Sequence, residues 1–266
     1  MLGDMATASE TDPDGAPHSA RQVAGAWARL VSPTTEVRTL RREMLNGLPQ
    51  PVERWLNHVL TPGSPLLTSV VLTMSGRIKI GQWREFQATQ AIAACGGYIW
   101  AATAQFGPLP VRGFDRYCDH TGEMRWRLAG FIPVMSVEGD DVTRSAAGRL
   151  ASELILTPAA ALSPHVRWTS VDEQTAVARV DVDGLVHDVT VVVSDHGSLE
   201  SAQLLRWGDP EGHGCGQHLF TALCTGEKRF GDVVMPAHIE AGWGDVMKDG
   251  VEGSFIEFDL DGADFR

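Results

Sequence analysis

Residues 141–156 open with acidic residues and stop at Thr157-Pro158, the pattern of a capped helix. At about 100° per residue, Val142, Ala146, Leu150 and Leu154 form an apolar stripe, and Glu153 falls within that arc. A carboxylate aimed at a core or cavity suits general acid or base work, because burial disfavours its charged form. The same position suits an ion pair with Arg149 one turn earlier, or with a strand arginine such as Arg127. Asp115 and Tyr117 stand two apart in a strand-like run, so they share a face and can orient one polar group together. A turn-supporting aspartate and a rim tyrosine account for them equally well.

The segment DPEGHGCGQH gathers Asp209, Glu211, His213, Cys215 and His218, all side chains that ligate transition metals. Their spacing matches no zinc pattern, and the three glycines predict a mobile lid or rim rather than a metal centre. His218 is the member best suited to chemistry. Six of the eight tryptophans, Trp83, Trp100, Trp126, Trp168, Trp207 and Trp243, fall in strand-like runs. Either they fill a large core, or they present flat apolar surface to a ligand.

The elements that must carry these residues change character along the chain. The stretch 1–20 is rich in Asp, Pro, Gly, Ser and Ala and predicts a disordered tail. Helical spacing of apolar residues recurs over 22–30 and 35–45, and LPQPVERWLNHVL predicts a helix that starts near Pro51, ends at Pro62-Gly63 and lies across a sheet. From residue 66 the period becomes two, with Val70, Leu72, Met74, Ile78 and Ile80 in one phase. Strand-like runs follow at 83–92, 97–106, 111–118, 123–137, 235–246 and 253–260, and Asp183-Gly184 marks a hairpin turn. The expectation is one α+β domain over 21–266. A large curved antiparallel sheet of nine or ten strands, half-barrel or barrel-like, spans 66–262 and is covered by helices over 22–60 and by the inserted helix 141–156.

Apolar residues at 43% and charged residues at 21% are ample for a core and exclude global disorder. A formal charge of -12, from 22 basic and 34 acidic residues, with no basic-aromatic stripe, argues against nucleic acid as a partner. No run of eighteen apolar residues predicts a membrane span, and the start lacks the pattern of a secretory signal. Four cysteines without a CxxC pair suit a reducing compartment, so a cytoplasmic address is expected. There is no GxSxG, GxGxxG, phosphate loop or HExxH, which disfavours standard hydrolases, dehydrogenases and NTPases and predicts no cofactor and no metal.

Several segments are similar to an uncharacterised actinobacterial domain-of-unknown-function family, DUF6544/DUF6920-like. They include LPQPVERWL, WREFQATQ, DRYCDHTGEM, RLASELILTPAAAL, LLRWGDP, RFGDVVMPAHIEAGW and EGSFIEFDLDGADFR. The resemblance spans about 48–266 and implies a half-barrel sheet like those that hold lipids; it brings no catalytic set. GRLASELILTP, less aromatic than expected, and EGHGCGQHLFTALC, more elaborate, depart from the family pattern and point to a specialised cavity. The expected function is enclosure of a lipophilic small molecule. Cofactor-independent cyclisation or isomerisation in natural-product biosynthesis is one outcome, with Glu153, Tyr117 or His218 as the polar groups. A non-catalytic carrier or sensor is the other.

Overall fold

The computed structural model describes residues 15–33 and 37–266. Among them are thirteen strands in one antiparallel sheet. The chain enters at the middle with β1 (Ser69–Ile80) and meanders outward through β2 (Gln82–Ala93), β3 (Gly97–Phe106), β4 (Leu109–Cys118), β5 (Thr121–Leu128) and β6 (Ile132–Glu138). It then crosses to the opposite edge and returns through β7 (Val166–Ser170), β8 (Thr175–Val182), β9 (Leu185–Val193), β10 (Leu199–Gly208), β11 (Gly216–Phe230), β12 (Val233–Met247) and β13 (Gly250–Phe265). β13 pairs with β1, from Val70 opposite Phe265 to Ile78 opposite Ile256, and this seam joins the two meanders. β6 and β7 are the free edges, so the sheet is an open half-barrel.

The crossover runs through the concave side. Helix α1 (Ala24–Leu30) lies near the N-terminus, α2 (Gln50–Val59) precedes β1, and the crossover helix is α3 (Asp140–Ser152), followed by 3-10 turns Glu153–Leu156 and Pro158–Leu162. α3 touches β4 and β5 on one arm and β8, β9 and β10 on the other, which a flat sheet of this width would not permit. Its core-facing side is small, with Ala146, Ala147, Gly148 and Ala151 buried. Gly122 on β5 lets it approach: a Cβ there would lie 2.6 Å from the Val142 carbonyl oxygen. The Gly122 amide donates to Thr143 Oγ1 at 3.0 Å across the same contact.

Pro51 sits in the first turn of α2, and Val52, Trp55, Leu56 and Val59 are buried against β8, β9 and β12, so this helix covers the sheet as its apolar face requires. On the convex side, Trp27 and Leu30 of α1 pack with Ile99, Ala101 and Phe114 in a second core. The expected tail therefore needs correcting where it is described. Ala16 and Ala20 are fully buried in that convex core, and His18–Val23 form a 3-10 turn, because small residues fit flush on the sheet. The rest of the tail, 1–14, lies outside the described residues.

Other expectations also shift. The helix over 35–45 reduces to a 3-10 turn at Arg42–Leu45; Thr35 and Glu36 lie outside the described residues. The run 123–137 is a hairpin, broken where Ala129 (φ 53°) and Gly130 (φ 83°) take the left-handed conformation. Asp183 (φ 53°) and Gly184 (φ 85°) form the turn between β8 and β9 as their types dictate. The inserted helix loses its α geometry at Ser152, so Glu153 opens a 3-10 turn.

Candidate functional site

The concave face encloses a cavity of about 340 Å³ beneath α3. Its walls come from β1 (Met74, Ile78), β11 (Phe220, Ala222), β12 (Ile239, Ala241, Trp243) and β13 (Phe255, Ile256, Phe258), with Trp100 from β3 and Ile155 and Leu156 from the turn after α3. β1, β11 and β12 each contribute residues of one phase, as the pleat requires, while β13 adds both Phe255 and Ile256 where its register against β12 shifts. One side of this apolar space is polar: Gln90, Asp115, Ser145, Arg149, Glu153 and Arg206.

Arg149 organises most of that polar side. Its Nε donates to Glu153 Oε1 at 2.8 Å, the pairing one helical turn apart expected from the sequence, and its Nη1 lies 3.6 Å from Asp115 Oδ2. Its guanidinium stacks over Tyr98 at 4.6 Å and Trp100 at 5.3 Å. Burial opposes its charge, but the two carboxylates outweigh burial and hold its pKa above the ordinary arginine value. The second oxygen of Glu153 accepts from Gln90 Nε2 at 2.8 Å. Asp115 accepts from Trp126 Nε1 at 2.8 Å. Burial nevertheless pushes the Asp115 carboxyl above the usual aspartate range, against the pull of Arg149 and the Trp126 hydrogen bond.

Arg206 stands opposite, on β10. Its Nε donates to the Ser145 carbonyl at 3.1 Å and its Nη2 to Ser145 Oγ at 3.3 Å. The guanidinium lies over Phe220 at 4.8 Å and Trp243 at 5.3 Å. Among the described residues no carboxylate lies within ion-pair distance of it. Burial pulls its pKa down to about 10. His187, beside it on β9, is also lowered, first by burial and then by the Arg206 charge.

The expected site residues therefore separate. Glu153 and Asp115 meet through Arg149 on the cavity wall. Tyr117 shares the strand face of Asp115 but points to the β8–β9 turn, where its hydroxyl donates to Asp183 Oδ2 at 3.0 Å. Burial and that aspartate raise its pKa. His218 belongs to β11 rather than to a loop, because Gly216 already starts the ladder and His218 faces Arg206 across it. Its ring meets Trp243 edge-on at 6.3 Å, and its imidazole nitrogens make no hydrogen bond among the described residues.

Of the tryptophans, Trp100 and Trp243 line the cavity. Trp126 packs on Trp100 at 5.6 Å and supports Asp115. Trp168 lies elsewhere, edge-on to Trp55 and donating to the Ala161 carbonyl at 3.0 Å, so it fills core. Trp207 donates to Asp141 Oδ1 at 2.8 Å under Arg144, beside the start of α3. Trp83 is exposed beneath Arg77. These last three are not cavity walls.

The end of β10 and the loop after it do reach the cavity, through Gly208 and Asp209. Asp209 Oδ1 accepts the amides of His213 and Gly214 at 2.8 and 3.1 Å, and His213 lies 3.3 Å from Glu211. Among the described residues no three His, Cys, Asp or Glu side chains converge as a metal site.

Gln90 and Arg206 were not singled out from the sequence. Both carried a signal: Gln90 is in phase with Phe86, Ala88 and Ile92, and Arg206 with Ala202 and Leu204, so each is a polar residue in an apolar phase. Among the described residues no helix is long and apolar enough to cross a membrane.

Among curated proteins none matches this chain. Solved structures with similar form include a LolA superfamily protein from Nitrosomonas europaea, at 10% identity over 81% of this chain and 92% of that one, TM-score 0.42. A Vibrio parahaemolyticus domain named for outer membrane lipoprotein sorting matches at 9% identity over 74% and 85%, TM-score 0.41. A DUF1329 family protein from Desulfovibrio piger matches at 10% identity over 75% and 86%, TM-score 0.34. The model of the family of unknown function DUF6544 matches residues 38–251, and the chain belongs to that family.

Proposed function

We propose that the protein holds a lipophilic small molecule in the concave cavity, as a carrier or sensor. The observation that carries this reading is the cavity itself, about 340 Å³ walled by Met, Ile, Phe and Trp side chains with a few polar groups on one side. Ligand sites have this size and composition, and apolar walls that are left unfilled forfeit dispersion contacts that a ligand would restore. The two acids do not compete for the space, since Glu153 and Asp115 are engaged by Arg149, Gln90 and Trp126.

One observation favours a second reading, a cofactor-independent cyclisation or isomerisation. Asp115 lies on the cavity wall with its carboxyl pKa raised by burial, which suits a proton donor to a bound polyene or polyketide. Turnover of the bound molecule that Asp115→Asn abolishes would separate enzyme from carrier.

Native mass spectrometry of the protein as purified, together with binding of the neutral fluorophore N-phenyl-1-naphthylamine, tests the cavity. Ala241→Trp, on the wall at β12, should fill the space and weaken fluorophore binding roughly tenfold or more. Absence of any copurifying molecule, with equal fluorophore binding by both proteins, would sink the reading.

A further inference from the structure

We propose, on the reading that the cavity holds a lipophilic molecule, that the ligand is an amphiphile with an anionic head, a carboxylate or a phosphate monoester, gripped by Arg206. The apolar walls fit a chain, and the polar side decides what head can end it.

The carboxylates that a cationic head would meet are already engaged by the protein, Asp209 by the His213 and Gly214 amides. Glu153 is bonded through one oxygen to Arg149 and through the other to Gln90, each at 2.8 Å. Asp115 is bonded to Trp126 at 2.8 Å and faces Arg149. Arg206 is the opposite case. A guanidinium carries five N–H donors, and Arg206 uses Nε and Nη2 on Ser145 alone, leaving Nη1 without a partner among the described residues. A planar pair of N–H groups is the geometry that takes a carboxylate or phosphate side by side.

Position supports the same head. Arg206 borders both the apolar cavity and a second space of about 200 Å³, and Asp115, Met124, Ser145, Arg149 and Gly208 border both as well. The second space is also lined by Arg116, Glu123, Asp141 and Cys215. A head at Arg206 therefore sits where the two spaces meet, beside the polar side of the apolar cavity. The two arginines differ in their charge partners: Asp115 and Glu153 share Arg149, whereas among the described residues Arg206 has no carboxylate within ion-pair distance. Stacking on Phe220 and Trp243 holds the guanidinium plane in place before a ligand arrives, so little ordering is lost on binding.

Displacement of N-phenyl-1-naphthylamine from the full chain by dodecanoate, dodecyl phosphate and 1-dodecanol tests this. At least one anion should displace the fluorophore at a concentration roughly tenfold or more below that of dodecanol, the size expected of a charged hydrogen-bonded contact. Which anion does so identifies the head. Arg206→Gln should erase the advantage while leaving dodecanol unchanged, and Arg206→Lys should retain part of it. If dodecanol matches both anions, or the advantage survives in Arg206→Gln, the anionic head is wrong and the lipophilic cavity stands. Should Arg206→Gln fail to fold, the ranking in the unaltered protein decides alone. If fluorophore and all three amphiphiles fail to bind, the cavity reading falls, and the head with it.

Discussion

Arg149 and Arg206 make the instructive pair. Both are arginines beneath the same crossover, each stacked on two aromatic rings, one on α3 and one on β10. Arg149 is held between two carboxylates, and its charge is reinforced. Arg206 has only Ser145, and burial lowers its pKa to about 10. A buried cation with matched partners is part of the scaffold, because removing it strands its partners in a poor dielectric. A buried cation without a carboxylate partner has its charge left to pair, and a charge facing a cavity is what a ligand uses.

The contrast is broken most directly by truncation. Arg149→Ala leaves Glu153 and Asp115 buried without their cation and should cost about 3–5 kcal/mol in urea unfolding. Arg206→Met, which strands no acid, should cost about 1 kcal/mol or less. Equal losses would erase the distinction between scaffold and ligand arginine.

A smaller effect follows from Asp115. Its folded pKa lies above the ordinary 3.8, so the folded protein holds this proton to higher pH than the unfolded chain. The stability it contributes is fully present below the unfolded value and is lost as pH rises through the raised folded value. Urea midpoints measured upward from pH 4 should therefore fall across that window, and Asp115→Asn should flatten the fall. An unchanged slope in Asp115→Asn would assign the dependence to other groups.

The smallest effect sharpens the pair without disturbing the fold. His187 is lowered by burial and by Arg206, so Arg206→Met should move its pKa back toward 6.5, read by NMR titration of the imidazole. A His187 titration indifferent to the substitution would mean that the Arg206 charge is already screened.

Much of this was legible in the chain. Alternation placed β1 to β4 and, in β1, the buried phase of Val70, Leu72 and Met74, though Ile80 of that phase is exposed; the Asp183-Gly184 pair gave its hairpin, and Pro51 opened α2, because each depends on local geometry. Glu153 was legible as an inward carboxylate from helical phase, and Arg149 as a partner from i,i+4 spacing. Trp168 and Trp83 were not assignable, since alternation says which residues share a face but not whether that face meets helix, cavity or solvent. His218 was read as part of a loop because three glycines obscured the start of β11.

By itself, then, the sequence determined an α+β chain with antiparallel strands, an inserted helix and a carboxylate turned inward, because periodicity and turn chemistry act over a few residues. Only the tertiary structure decided that β13 closes on β1, that the sheet stays open at β6 and β7, and that Gln90, Asp115, Arg149 and Arg206 converge. Those contacts join residues up to more than a hundred positions apart, and they are selected by curvature and packing of the whole sheet rather than by any local preference.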